Sequence, residues 1–166
     1  MIDQLKPLIK KLSKFSCEKF GFKHPPKLFL KRDKTNSENF LGKTAHYDPS
    51  KQSIVVYISS RHPKDILRSI AHEFVHHAQF LRGDLSQDKC AGLGAGYAQE
   101  NDHMRNMEKE AYLLGNMCFR DWEDAEKLSL AESKFLYGKK ENNNMTNKVT
   151  KNVLKKMIVE TLQKRR

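Results

Sequence analysis

The stretch Ile66-Leu-Arg-Ser-Ile-Ala-His72-Glu73-Phe-Val-His76-His77-Ala-Gln79 decides how the rest of the chain is read. It contains His72-Glu73-Phe74-Val75-His76, which fits the pattern H-E-x-x-H. Residues four apart on a helix share a face, so both imidazoles can reach one metal ion. Glu73 lies just round the helix, within reach of a metal-bound water. Shuffled chains of this composition show the pattern in roughly two cases of a hundred, so the context decides. Pro63 and Asp65 suit a first helical turn, and Gly83 suits the stop. Between them Ile66, Leu67, Ile70, Ala71, Phe74, Val75, Ala78 and Leu81 form a broad apolar stripe. His72, His76, Ser69 and Gln79 cluster on the neighbouring face. The plainer alternative is a pair of surface histidines, and a second acidic helix downstream weighs against it. His77 points about 100° away from His76 and is not expected to be a ligand.

Length suits one domain with an appendage, and no run of residues approaches the roughly 20 apolar positions of a membrane span. The start, Met-Ile-Asp-Gln-Leu-Lys, lacks the apolar run of a signal peptide. Cys17, Cys90 and Cys118 are odd in number and widely spaced, which favours reduced thiols and an intracellular (cytoplasmic) setting. The net charge of +11 divides as +7 over residues 1–34, −3 over 35–138 and +7 over 139–166. The basic character belongs to the ends, away from the H-E-x-x-H centre. A nucleic-acid enzyme would more naturally place it around the active site. The basic ends read either as solvated helix faces or as surfaces for a nucleic-acid or acidic protein partner.

Read in order, the pattern predicts an α+β fold. Residues 2–21 form an amphipathic helix through Ile2, Leu5, Leu8, Ile9, Leu12, Phe15, Cys17 and Phe20. Lys27–Arg32 reads as a strand and Asp33–Asn39 as a polar loop. Thr44–Tyr47 and Ser53–Ser59 read as a hairpin across the turn Asp48-Pro49-Ser50-Lys51, so a small antiparallel sheet precedes the metal helix. The segment Ala91-Gly-Leu-Gly-Ala-Gly-Tyr97 has neither phosphate-loop spacing nor a preceding strand, and reads as a flap or connecting loop. Residues 102–120 and Trp122–Lys134 predict two further helices. The compact domain is expected over 1–138, an Asn/Lys-rich linker over 139–148, and a basic amphipathic helix over 149–166.

A catalytic zinc commonly takes three protein ligands and leaves one position open. The segment Glu108-Lys109-Glu110-Ala111-Tyr112-Leu113-Leu114-Gly115 offers two carboxylates, which point about 200° apart on a helix, so only one can face the metal. Glu108 shares its face with the small residues Ala111 and Gly115, which would let this helix approach H-E-x-x-H closely. Glu110 shares its face with Met107, Leu113, Leu114 and Met117 and suits a rim position. The residues favour Glu108 and leave Glu110 as the alternative.

A glutamate beside small residues, downstream of H-E-x-x-H, resembles the gluzincin metallopeptidases over residues 54–116. Tyr112 stands where that family commonly has Asp. The small size with a detached basic helix is also similar to proteins of large tailed phages. The gluzincin resemblance implies a zincin-like fold, a zinc ion held by His72, His76 and Glu108, and hydrolysis of peptide bonds with Glu73 as general base. It implies a donor for the developing oxyanion, for which His103, Tyr97 and Tyr112 are candidates. It also implies a substrate strand added to the sheet edge, expected at the strand ending at Ser59. The competing expectation is a non-catalytic zincin-like or basic adaptor module. The intact Glu73 argues against it.

Overall fold

The computed structural model describes residues 2–85 and 101–130. Cys90, the glycine-alternating segment with Tyr97, the 139–148 linker and the 149–166 helix lie outside those residues. The chain divides into two compact units, Met1–Glu123 and Asp124–Arg166. The first holds the sheet and the H-E-x-x-H helix.

Helix α1 (Ile2–Phe20) turns Leu5, Leu12 and Ser16 into the core and leaves its lysines outside. Gly21 ends it at a φ of +75°, a conformation that costs a residue with a Cβ about 1 kcal/mol or more. Strand β1 (Lys27–Lys31) buries Leu28 and Leu30 in part and exposes the residues between. The polar segment after it is not a bare loop. It forms a single helical turn, α2 (Lys34–Glu38), because Asp33 caps it by accepting from Asn36 N. Asn36 then grips both the N–H and the carbonyl of Lys43, each at 2.9 Å, and closes the loop.

Strands β2 (Ala45–Asp48) and β3 (Ser53–Tyr57) make the expected hairpin, with Tyr47 opposite Ile54 and Ala45 opposite Val56. The sheet is not antiparallel throughout. Its order is β1-β3-β2, and β1 runs parallel to β3. The physical reason is the connection of residues 32–44, long enough to carry the chain past one strand position, so that β3 returns into the gap. The strand ending near Ser59 is therefore the centre of the sheet, and β2 is an edge. One face of the sheet is covered by helices, through Ile54 and Val56, and Phe29 on the other face is half exposed.

Helix α3 (Pro63–Leu81) carries H-E-x-x-H. His62 caps its start by accepting from Lys64 N, and Gly83, at a φ of +85°, ends it. Ile66, Leu67, Ile70, Ala71, Phe74, Val75 and Ala78 are buried against α1, β2 and β3. Leu81 departs from the predicted stripe and is 53% exposed, because the last turn runs past the core. Residues 102–130 form one helix, α4, where two were expected. The joint at Arg120-Asp121-Trp122 holds no glycine or proline to end it. Met104, Ala111, Cys118, Phe119 and Trp122 are buried, and Cys118 Sγ lies 3.5 Å from Ser16 Oγ of α1.

His77 is buried away from the other histidines. Its ring meets Phe22 edge-on, and its Nδ1 lies 2.9 Å from the Tyr47 hydroxyl. That contact ties β2 to α3. Burial pushes the Tyr47 phenol up from its ordinary 10.0 to about 12. A raised folded pKa contributes stability that is complete below the unfolded value and lost as pH rises through the folded one. Stability to urea should therefore fall between pH 10 and about 12 more steeply in the wild type than in Tyr47→Phe. Equal slopes in the two proteins would show that the phenol is not protected by the fold.

Candidate metal centre

The core stripe of α3 fixes which way its other face looks. With Phe74 and Ala78 inside, His72, Glu73 and His76 fall on the margin and open into a cleft of about 620 Å³. The cleft runs between β2 with the residue before it (Thr44, Ala45, Tyr47), α3 (Arg68, Ser69) and α4 (Met104, Glu108, Tyr112, Asn116).

Two small residues set how close α4 comes. Ala111 is fully buried. A Cβ on Gly115 would stand 2.8 Å from His72 Cα and 3.0 Å from His72 N, so the two backbones nearly touch there. One and two helical turns back from that contact, Ala111 and Glu108 share the same face. The short glutamate stem then reaches both histidines. Glu108 Oε2 lies 3.4 Å from His72 Nε2, Glu108 Oε1 lies 3.5 Å from His76 Nε2, and the two Nε2 atoms are 3.1 Å apart.

These spacings test whether the residues suit a metal. Ligand atoms about 2.0–2.1 Å from a tetrahedral ion are separated from one another by roughly 3.3–3.4 Å. The three observed separations fall around that edge. His72, His76 and Glu108 can hold a metal ion, and they are the one such group among the described residues.

The surrounding hydrogen bonds orient the donors. Gln79 is fully buried, and its Nε2 donates to Met107 O and to Glu110 Oε2, each at 2.9 Å. Both partners are acceptors, so the amide orientation is set and Oε1 must face His76 Nδ1, 2.8 Å away. His76 therefore carries its proton on Nδ1, and in the neutral ring the Nε2 lone pair points at the centre. Glu110 is not at the centre. Arg82 Nη2 holds both its oxygens, at 3.0 and 2.8 Å, and keeps its carboxyl below the usual carboxylate range. Glu110 steadies Gln79, which steadies His76.

Glu73 is 6% exposed and lines the cleft beside the donors. Burial raises its carboxyl pKa, against the pull of His76 and His72 and of the Tyr47 backbone N–H, which faces the carboxylate. Of the three residues considered as oxyanion donors, Tyr112 lies at the cleft, its ring edge-on to His72 at 4.7 Å between centroids. His103 is turned away, with Nε2 2.8 Å from the Asp84 carbonyl. Tyr97 lies outside the described residues. Helical spacing places Gln79 on the histidine face, but its role is not legible there, because the partner Glu110 comes from another helix.

Gly115→Ala should destabilise the protein by about 1–3 kcal/mol, the range for overpacking a tight contact, because backbone cannot yield as a side chain does. Urea denaturation checks this, and a neutral result would mean the helices are further apart. Chelator competition checks the ligands. Glu108→Ala should weaken metal binding by more than about a hundredfold, since it removes a share of a binding energy of order 10 kcal/mol. Gln79→Leu should cost roughly 10–100-fold through His76, and Glu110→Ala less than that. A larger loss for Glu110→Ala than for Glu108→Ala would reverse the assignment. No protein-family model matches this chain, and no curated protein or solved structure matches it either, so the reading of the centre rests on its own geometry.

Proposed function

We propose that the chain is a zinc-dependent peptidase of zincin-like architecture. The observation that carries this reading is the juxtaposition of the three-donor centre, the buried Glu73 and the outer edge of β2, unpaired among the described residues, around one cleft. Two imidazoles and a carboxylate suit zinc among the common divalent ions. When bound, zinc supplies a Lewis acid that activates water near neutral pH and polarises a carbonyl oxygen.

The chain's own residues supply the rest. Glu73 takes the proton of the attacking water and returns it to the leaving amine. Its burial suits both halves of that cycle. A carboxylate with a raised pKa is a stronger base toward water, and it holds the proton it takes for delivery to the leaving amine. Tyr112, exposed along the cleft, is the side chain positioned to donate to an oxyanion.

The edge of β2 accounts for a peptide substrate. Tyr57 N donates to Thr44 O, so those two residues form a hydrogen-bonded pair of the β2–β3 ladder. Antiparallel pairs alternate, so Ala45 and Tyr47 turn their N–H and carbonyl groups away from β3. An extended peptide can pair with that outer edge through Ala45 and the Tyr47 carbonyl, the Tyr47 N–H facing Glu73, and lay a carbonyl over the centre. The edge is β2 and not the strand ending at Ser59, because β3 is paired on both sides.

Glu73→Gln keeps the shape and removes the base. It should bind zinc as tightly as wild type, within about threefold, and lose peptide hydrolysis by two to four orders of magnitude, roughly the share of general base catalysis. Metal analysis and a peptide-library cleavage assay on the purified pair measure both. Turnover in the mutant near the wild-type rate would refute the role of Glu73. A wild-type protein that binds zinc and cleaves nothing in the library would refute the peptidase.

A further inference from the structure

Arg61 lies between β3 and α3, outside the cleft, and half-buried. Its guanidinium makes four hydrogen bonds to four different groups. Nη1 donates to Thr44 O at 2.9 Å and to Tyr57 O at 3.1 Å. Nη2 donates to Asp65 O at 3.0 Å and to Ser69 Oγ at 2.8 Å. One planar fork thus joins the start of the β2 edge, the end of the central strand, and the turn of α3 that precedes His72. Thr44 and Ser69 both line the cleft. Ser69 passes the link on by donating to Asp65 O at 3.0 Å.

The residue before it shows that this placement is held against strain. Ser60 has a φ of +55°, the left-handed region, where a residue with a Cβ costs about 1 kcal/mol or more. Nothing in a plain strand-to-helix connection requires that conformation of a serine. Arg61 follows it directly and reaches the ends of β2 and β3.

We infer that Arg61 is a positioning residue that sets the β2 edge against the metal helix, and so the register in which an extended peptide meets Glu73. This rests on the peptidase reading for its substrate, but the clamp itself is a property of the fold. Lysine cannot replace it, because a single ammonium on a flexible stem does not reproduce a planar fork with donors in two directions.

The test uses Arg61→Met and Arg61→Lys in the full chain. Native-state exchange reads the clamp directly. The Tyr57 amide, which donates to Thr44 O, should exchange about tenfold faster in both variants, as expected when a local opening loses hydrogen bonds. The Ile58 amide, which donates to Lys31 O on the other side of β3, should stay within about twofold and serves as the internal reference. For an extended peptide substrate KM should rise about tenfold while kcat changes less than about threefold, the signature of lost binding and not of lost chemistry. Zinc affinity should remain within about twofold of wild type, since no ligand is touched. Unchanged Tyr57 exchange in Arg61→Met overturns the clamp, as does full recovery of wild-type exchange and KM by Arg61→Lys, which would make charge the cause. If the wild type cleaves no peptide, the peptidase reading falls, and the exchange comparison still decides the clamp.

Discussion

The site depends on one steric fact, the near-contact of the α3 and α4 backbones at His72 and Gly115. A glutamate has only two methylenes between backbone and carboxylate. To touch both imidazoles of an H-E-x-x-H pair from a neighbouring helix, its own backbone must lie at the short end of the usual 8–10 Å interaxial range. Gly115 and Ala111 allow that approach, and the apolar burial of Met104, Cys118 and Phe119 along the same helix stabilises it. The centre is thus a consequence of helix packing. It would not assemble from the same three side chains at an ordinary interhelical distance.

The polar groups beneath the centre follow a second constraint. Buried polar groups are costly unless they are hydrogen-bonded. Gln79, with no exposure, answers this by reaching three partners, His76, Met107 and Glu110. Glu110 in turn is neutralised by Arg82 at the surface end, 2.8 Å away. The network therefore runs from a solvated ion pair to the buried His76 imidazole, one of the three donors that can hold a metal ion. Each member fixes the orientation of the next, so His76 enters the centre in one tautomer only.

Much of this was legible in the sequence, and the limit falls at a definite place. Contacts within one helix could be read, because helical spacing converts directly into faces. His72, Glu73 and His76 on one side, Phe74 and Ala78 on the other, and the turn of His77 away from His76 follow from it. The small pair Ala111 and Gly115 also pointed to a close helix approach, which the backbone distances at His72 bear out. What spacing does not convey is pairing between elements. The parallel run of β1 beside β3 depends on a connection that skips a strand position, and no residue in β1 signals it. Arg61 has no pattern at all, since its four acceptors are backbone carbonyls and one serine hydroxyl drawn from three elements. The Asp33 cap was visible only as a polar loop, because one helical turn is too short to show a period.

The strand order has a consequence for chemistry that a simple meander would not. If the strands had paired in chain order, β3 would be the edge, and its outer groups would continue directly into the connection to α3. Inserting β3 between the others buries its hydrogen-bonding groups on both sides and moves the free edge to β2. Beyond its ladder with β3, that edge is fixed at its ends by the hairpin turn at Asp48 and by the loop closed through Asn36 and Lys43. An edge so attached needs cross-links to hold its distance from the helix. Tyr47 provides them at one position, to His77 and to Glu73, and Arg61 to Thr44 at the other. Between them lie the outward-facing groups of Ala45 and Tyr47 that front the cleft. The edge is therefore tied to the helix at both ends of the stretch that fronts the cleft.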